Sequence, residues 1–388
     1  MKPTAKSRIY IGEYSEDAVI EVARGLHREL GSNAALGFLF VSQEWHAHLS
    51  DTLELIRVHG RVPELVGCSG RGIIGAKTEV ERRPGFSLLL LSMPPDSFKV
   101  FPVTENQYNE SSDPRHWRAV TGLPANAVNS WIVLANPYFP EAEEWLEQWS
   151  EAYPGTPTIG GLASSATSEI LLFRDGEISS AFALAVALKG CLRAQPVISQ
   201  GCRPIGNPMP ITKVDDNLII EVGNVPAYKA LEAAFLSVPV EQRVTVKNNL
   251  FLGLAISEYI EEYKRGDFLI RNILGADPKI GAVAVGANPR VGQTIQFQLR
   301  DSISAHEDLV QIAEMGRVSD AIGILLFSCT GRGRALFGKS DHDATVLAEV
   351  LGDLPLAGFF CNGEIGPVGN KTFLHGYTAS AAVLCVQD

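Results

Sequence analysis

The sequence predicts an α/β protein of two related halves, with mixed β-sheets packed between helical layers in the manner of an αββα sandwich. Three observations point there. Short unbroken apolar runs such as "ALGFLFVS" (35–42), "SLLLLSM" (87–93), "WIVLANP" (131–137) and "AIGILLFS" (321–328) read as strands buried on both faces. Amphipathic segments lie between them. The order strand, helix, strand into glycines recurs over 131–165 and 321–364, which predicts an internal repeat with one copy per half.

The elements follow in chain order. Residues 16–30 put Val19, Ala23, Leu26 and Leu30 on one helical face, with charges opposite. "WHAHL" (45–49) gives His46 and His48 a shared strand face and a solvent-facing role; no further ligand pattern completes a metal site. "GRGIIG" (70–75) has the G-x-G-x-x-G spacing of a dinucleotide loop, but Pro84 and Gly85 leave no room for the crossover helix that would hold a pyrophosphate, so no cofactor is expected. "WIVLANP" is a strand stopped by Asn-Pro, and "PEAEEWLEQWSEAY" a helix with Pro140 in its first turn. Turn formers crowd "GCRPIGNPMPITKVDDNLI", placing a boundary near 215 and dividing the chain into 1–215 and 216–388. Beyond it come the acidic helix "SEYIEEYKRG" and "GQTIQFQLRD", in which Thr294, Gln296, Gln298 and Arg300 face one way and Ile295, Phe297 and Leu299 the other. The helix "DHDATVLAEVLGDL" (341–354) and the strand "PLAGFFCNGEIGP" close the chain.

Composition narrows the function. With 388 residues, 46% hydrophobic and 20% charged, the chain is globular. A net charge of -11 with no basic stripe disfavours nucleic acid. The apolar runs are shorter than the roughly 20 residues of a membrane span, and the first 30 residues show no secretory core. Six scattered cysteines without a CxxC pair read as reduced thiols. The expected setting is the cytoplasm.

Two stretches share a motif: "CSGRG" (Cys68, Ser69, Gly70, Arg71, Gly72) and "CTGRG" (Cys329, Thr330, Gly331, Arg332, Gly333). Each is either a tight glycine turn or an anion pocket, in which uncovered N–H groups, a hydroxyl and an arginine fork hold an oxyanion. Cys329 is a candidate nucleophile, with His342 and His375 as candidate bases downstream; a buried inert thiol is the alternative. Glu364 in "CNGEIGP" stands at a strand end and serves a site or caps a backbone. Gly160 and Gly161 end the strand after "WIVLANP". Arg271 and Arg300 form ion pairs or hold a carboxylate.

These segments together carry a resemblance. "LVGCSGRGII", "FSLLLLSMP", "WIVLANP" and "PTIGGLASS" look like the N-terminal FIST domain, while "DFLIRNILGAD", "GQTIQFQLRD", "ILLFSCTGRGRALFG" and "LAGFFCNGEIGPVGNKTFLHGYTAS" look like the C-terminal one. The resemblance covers about residues 30–385. It implies a sensory module that binds small molecules such as amino acids, occurring alone, fused to signalling domains, or within F-box proteins; this sequence shows no F-box, kinase, cyclase or membrane segment. Three functions stay open: a sensor for an amino acid or other small carboxylate with a signalling partner, a cysteine-dependent enzyme using Cys329, and a protein-interaction scaffold without ligand. On the sensor reading the two glycine turns, Gly160–Gly161 and Gly358–Glu364 border one cleft, with the motif duplicated by the repeat.

Overall fold

Three six-stranded sheets and a seven-stranded barrel-like sheet organise the chain in the computed structural model, which describes residues 2–243 and 249–387. The sheets make up one compact unit, Met1–Ser199 with Leu309–Asp388, and the barrel the other, Gln200–Asp308.

One plan is written three times through the first unit. Its opening strands are Thr4–Ile11, Phe98–Val103 and Leu192–Ser199. Each copy then has a central strand (Leu36–Ser42, Ser130–Ala135, Ala321–Cys329) and, after a helical segment, a strand parallel to it (Glu64–Gly70, Thr158–Leu162, Leu356–Cys361). A hairpin and a return strand follow, the return strand lying antiparallel between the opening and central strands.

Each hairpin leaves its own sheet. The hairpin of Gly72–Gly75 and Thr78–Glu81 pairs with Leu356–Cys361, that of Leu172–Arg174 and Glu177–Ile178 with Glu64–Gly70, and that of Glu364–Val368 and Lys371–His375 with Thr158–Leu162. The exchange is cyclic, so every sheet is completed by another copy's hairpin.

Close strand approach fixes one residue type in all three copies. A Cβ on Gly67, Gly160 or Gly358 would lie 1.9, 1.8 or 2.0 Å from the carbonyl oxygen of Leu39, Val133 or Leu326. Those are the residues each glycine faces in the parallel register. This is a steric reason for the glycines that the sequence shows at strand ends.

Burial on both sheet faces explains the continuous apolar runs. Phe38, Phe40, Leu89 and Leu91 join Ile132, Leu134, Leu325 and Phe327 in a core shared by the three sheets. Leu39, Val41, Leu88 and Leu90 point the other way, onto the helices Glu16–Leu30 and Leu49–Gly60. The α/β class with mixed sheets against helices is therefore observed. The repeat is threefold rather than twofold: the pair visible in the sequence, 131–165 and 321–364, is its second and third copies, and the first is hidden because its strand ends carry different side chains.

Local chemistry sets most element ends. Ser15 caps Glu16–Leu30 by accepting from Ala18 N at 3.3 Å, Gly31 ends it at φ 69°, and Val19, Ala23, Leu26 and Leu30 are all buried. Two local expectations differ. The histidines of "WHAHL" fall in a 3-10 helix, Gln43–His48, rather than a strand: His46 is half-buried with Nδ1 3.1 Å from Glu169, whereas His48 is exposed, as expected, and stacks on Tyr14. "SEYIEEYKRG" forms no helix: Tyr259 is fully exposed, the segment has no apolar stripe to bury, and Glu258 instead accepts from Thr294 N.

In the second unit, strands run in the order Cys202–Asp215, Thr294–Arg300, Leu250–Ala255, Phe268–Asp277, Ala282–Val285, Leu218–Val222 and Val225–Pro226, and pairing of Cys202–Asp215 with Leu218–Val222 closes the sheet on itself. The proline-rich stretch near 205 is a bent strand whose register shifts between Ile205 and Met209, with Gly206 at φ 67°. Residue 215 ends that strand. Ile295, Phe297 and Leu299 fill the barrel core with the helix Ala227–Ser237, while Gln296, Gln298 and Arg300 on the opposite face are also buried.

Candidate functional site

In the first unit, the strand ends of the three copies converge. Ser164 N donates to Ser69 O at 3.1 Å, Arg71 N to Ser164 Oγ at 2.8 Å, Ser164 Oγ to Phe360 O, and Asn362 N to Leu162 O at 3.0 Å. Gly161 packs against Cys361: a Cβ there would lie 3.1 Å from Cys361 Cβ. The first motif, Gly161 and the stretch Gly358–Glu364 are thus brought together, and Cys329 joins them as the register partner of Cys361.

A buried carboxyl sits at the centre. Glu364 has no solvent exposure; its Oε2 accepts from Thr378 N at 2.9 Å and its Oε1 from the Cys361 thiol at 3.2 Å. Burial pushes the carboxyl up to about 7 against the pull of hydrogen bonds from Thr378, Cys361 and Cys329. Cys329 is pushed up to about 12 by burial and by the Glu364 charge, although its Sγ accepts from Tyr377 N at 3.2 Å and Gly331 N at 3.5 Å. Burial and Glu364 raise Cys361 as well, and burial alone raises Cys68, which lies in the shared core.

At "CTGRG" the arginine fork is engaged within the protein. Arg332 is fully buried and forks onto Asp343, with Nε to Oδ2 at 2.7 Å and Nη2 to Oδ1 at 2.9 Å. Burial would raise Asp343, but Arg332 and His342 beside it hold its carboxyl well below the usual range. The loop's N–H groups are used as well: Thr330 N donates to Cys361 O, Arg332 N to Cys329 O, and Arg334 N to Glu81 Oε1. Gly333, at φ 56°, has Glu81 Oε1 2.6 Å from where a Cβ would stand. Of the candidate bases, His342 bonds Asp343 at 2.9 Å and stacks on Phe337, and His375 bonds Gly366 O at 3.0 Å.

"CSGRG" instead ends one strand and opens the next, with a bend at Arg71 between them. Ser69 Oγ accepts from Leu171 N at 3.1 Å, Gly70 lies against Phe359, Arg71 is exposed, and the chain continues into the Gly72–Gly75 strand rather than a helix. The two motifs are not copies of each other: Cys68 lies on a parallel strand, and Cys329 ends a central one. In the repeat, Cys329 corresponds to Ser42, and Cys361 to Gly70.

Sequence reasoning missed two partners. Glu79, from the exchanged hairpin, accepts from Ala344 N at 2.9 Å beside Asp343, and burial with the Asp343 charge pushes it up to about 8. Cys361 was one cysteine among six; only the strand register places it opposite Cys329.

In the second unit, a cavity of about 490 Å³ is lined by Arg203, Asn249, Arg300, Asp301, Ser304 and Glu307, among others. Arg203 Nε lies 3.3 Å from Asp301 Oδ2, and Asp301 caps the helix Ser302–Met315 by accepting from Ser304 N at 2.8 Å. Arg300 is buried at its wall. Arg271 is half-buried on the strand Phe268–Asp277, with Nη1 3.5 Å from Ile270 O, and does not line the cavity.

Among the described residues, no helix is long and apolar enough to cross a membrane. Residues 35–224 match the model of the FIST N domain and residues 227–367 that of the FIST C domain. An uncharacterised protein of Mycobacterium tuberculosis (strain CDC 1551 / Oshkosh) is 35% identical over 374 residues, covering 94% of this chain and 95% of its own length. Another, from Mycobacterium bovis, is 35% identical over 378 residues, covering 95% of each. A crystal structure of cyanuric acid hydrolase from A. caulinodans is similar at a TM-score of 0.32 and 11% identity over 100% of both chains.

Proposed function

This chain belongs to the FIST family, whose domains are generally sensory, small-ligand-binding parts of signal transduction, and from that premise we propose that it senses an amino acid or a similar small carboxylate in the barrel cavity. The observation that supports this reading is the pairing of opposite charges around one cavity: Arg203 and Arg300 stand with Asp301 and Glu307 around about 490 Å³. That volume falls in the range of about 300–1,000 Å³ typical of small-molecule sites. A ligand carboxylate would be forked by Arg300, and its ammonium would face Glu307. A monocarboxylate without an amine would meet only half of this complementarity. Arg332, already held by Asp343, has no part in it. The sensor works in the cytoplasm beside a signalling partner that reads the liganded state.

The test is a thermal-shift screen of the purified chain against the standard amino acids and matched carboxylic acids, followed by calorimetry. A true ligand at a hundredfold over its dissociation constant adds about 2.7 kcal/mol. Glu307→Gln should weaken an amino acid more than its deaminated analogue, and Arg300→Lys should weaken both. Absence of any heat or melting shift at millimolar concentration overturns the reading.

A further inference from the structure

We propose that Cys329 and Cys361 form a redox-active dithiol, oxidised by hydroperoxides to an intramolecular disulfide, with Glu364 carrying the protons between them. The two residues are direct partners in the parallel register of Ala321–Cys329 and Leu356–Cys361, and both are free thiols. Adjacent strands run about 5 Å apart, inside the Cα separation of about 4.4–6.8 Å that a disulfide spans. Cys361 Sγ donates to Glu364 Oε1 at 3.2 Å, and Cys329 lies near enough to the same carboxyl for each to shift the other's titration.

Their surroundings divide the labour. Cys329 is 8% exposed against 0% for Cys361. Its Sγ also accepts two backbone N–H groups, from Tyr377 and Gly331, which offset part of the burial that keeps the resting thiol protonated, so the thiolate forms only as Glu364 takes the proton. Tyr377 delivers its N–H from a left-handed φ of 62°, a conformation that costs a bulky residue energy and that the surrounding structure must hold in place. Cys329 is therefore the attacking thiol, and Cys361 the resolving one.

The fold does not require this arrangement, as the other two copies of the repeat show. At the hairpin position of Glu364, which faces Gly161, they carry Ile73, facing Phe359, and Leu172, facing Cys68, both packed in the apolar core. Where the third copy has Cys329 opposite Cys361, the first has Ser42 opposite Gly70. Exchanging an apolar core residue for a carboxylic acid costs stability unless its hydrogen bonds are satisfied. Here the Cys361 thiol and Thr378 N satisfy one oxygen each.

The chemistry closes with a hydroperoxide as the sole oxidant. Glu364 takes the Cys329 proton, and the thiolate attacks the distal peroxide oxygen. The O–O bond breaks, an S–O bond forms, and the leaving alkoxide recovers the proton from Glu364 as an alcohol. Cys361, deprotonated in turn by Glu364, then attacks Cys329 Sγ; the S–S bond forms and hydroxide leaves as water with that proton. In sum, two thiols and one hydroperoxide give one disulfide, one alcohol and one water.

The experiment treats the reduced full-length protein with hydrogen peroxide, alkylates the remaining thiols and maps the peptides. The expected result is a peptide pair linked through Cys329 and Cys361, reversible by dithiothreitol, that forms before Cys191 is oxidised. Cys191 is the one cysteine of the six that is not buried, so oxidation governed by exposure alone would begin there. In Cys361→Ala, Cys329 should halt as a sulfenic acid that a 1,3-dione traps. Glu364→Gln should slow the cross-link by roughly tenfold or more. A wild-type map in which Cys329 and Cys361 stay reduced while Cys191 reacts, or in which Cys329 passes to higher oxides without linking, overturns the dithiol. An unchanged rate in a folded Glu364→Gln protein overturns the role of the glutamate. Should that variant not fold, the wild-type map decides the dithiol by itself.

Discussion

Arg332 and Asp343 meet in a two-pronged ion pair with both side chains withdrawn from solvent, and besides His342, Ser328 Oγ donates a further hydrogen bond to the aspartate at 2.8 Å. Removing one partner strands a buried charge, so Arg332→Ala should cost about 3–5 kcal/mol, while the paired change Arg332→Met with Asp343→Leu should cost far less. Urea unfolding of the two variants checks this. If Arg332→Ala loses less than about 1 kcal/mol, the pair is not structural and Arg332 returns to the list of ligand residues.

Glu364 should make the fold weaker at alkaline pH. Its folded value, about 7, lies above the ordinary 4.5, so the folded state favours the protonated acid. The contribution is complete below pH 4.5 and is lost as pH rises through 7. By linkage the loss is at most roughly 3 kcal/mol. Glu79, raised to about 8, acts with the same sign and extends the window upward. Unfolding free energies at pH 5 and pH 8.5 should differ less in Glu364→Gln than in wild type; equal differences would remove the buried carboxyl from the account.

Gly358→Ala should be among the most damaging single-methyl additions in the chain. The new Cβ would sit 2.0 Å from Leu326 O, and that oxygen belongs to backbone in the middle of a sheet. An overpacking cost of about 3 kcal/mol or more is expected. Gly190→Ala offers the control, since nothing lies within 4 Å of its Cβ direction and only its φ of 58° resists the change, at about 1 kcal/mol. Thermal denaturation of the two variants should separate them clearly.

Much of the fold was legible in the sequence because two-sided burial leaves an unmistakable trace: "FSLLLLSM" and "AIGILLFS" are strands because they face a helix layer and a shared core at once. The hairpin exchange was not legible, since Ile73 and Ile74 read the same whether they pair with their own sheet or with Phe359 and Gly358 of another copy. The site was half legible. Glu364 stood out as a charge framed by glycines, and Cys329 as a thiol at a strand end, but their meeting depends on a register that no local pattern encodes. Arg332 misled because an exposed fork and a buried one share the same four letters; what distinguishes them, Asp343, lies eleven positions on and across a helix start.

The cyclic trading of hairpins has a consequence for how the chain comes into being on the ribosome. When residues 72–81 emerge, the strand they will pair with, Leu356–Cys361, has not been synthesised. The strand Thr158–Leu162 likewise waits for Glu364–Val368. The nascent first two copies therefore carry bare strand edges for most of synthesis, which is the state most open to mispairing with neighbouring chains. The ring closes only when the last copy arrives, so an N-terminal fragment ending near residue 224 should be chaperone-bound or aggregated rather than a smaller working version of the protein.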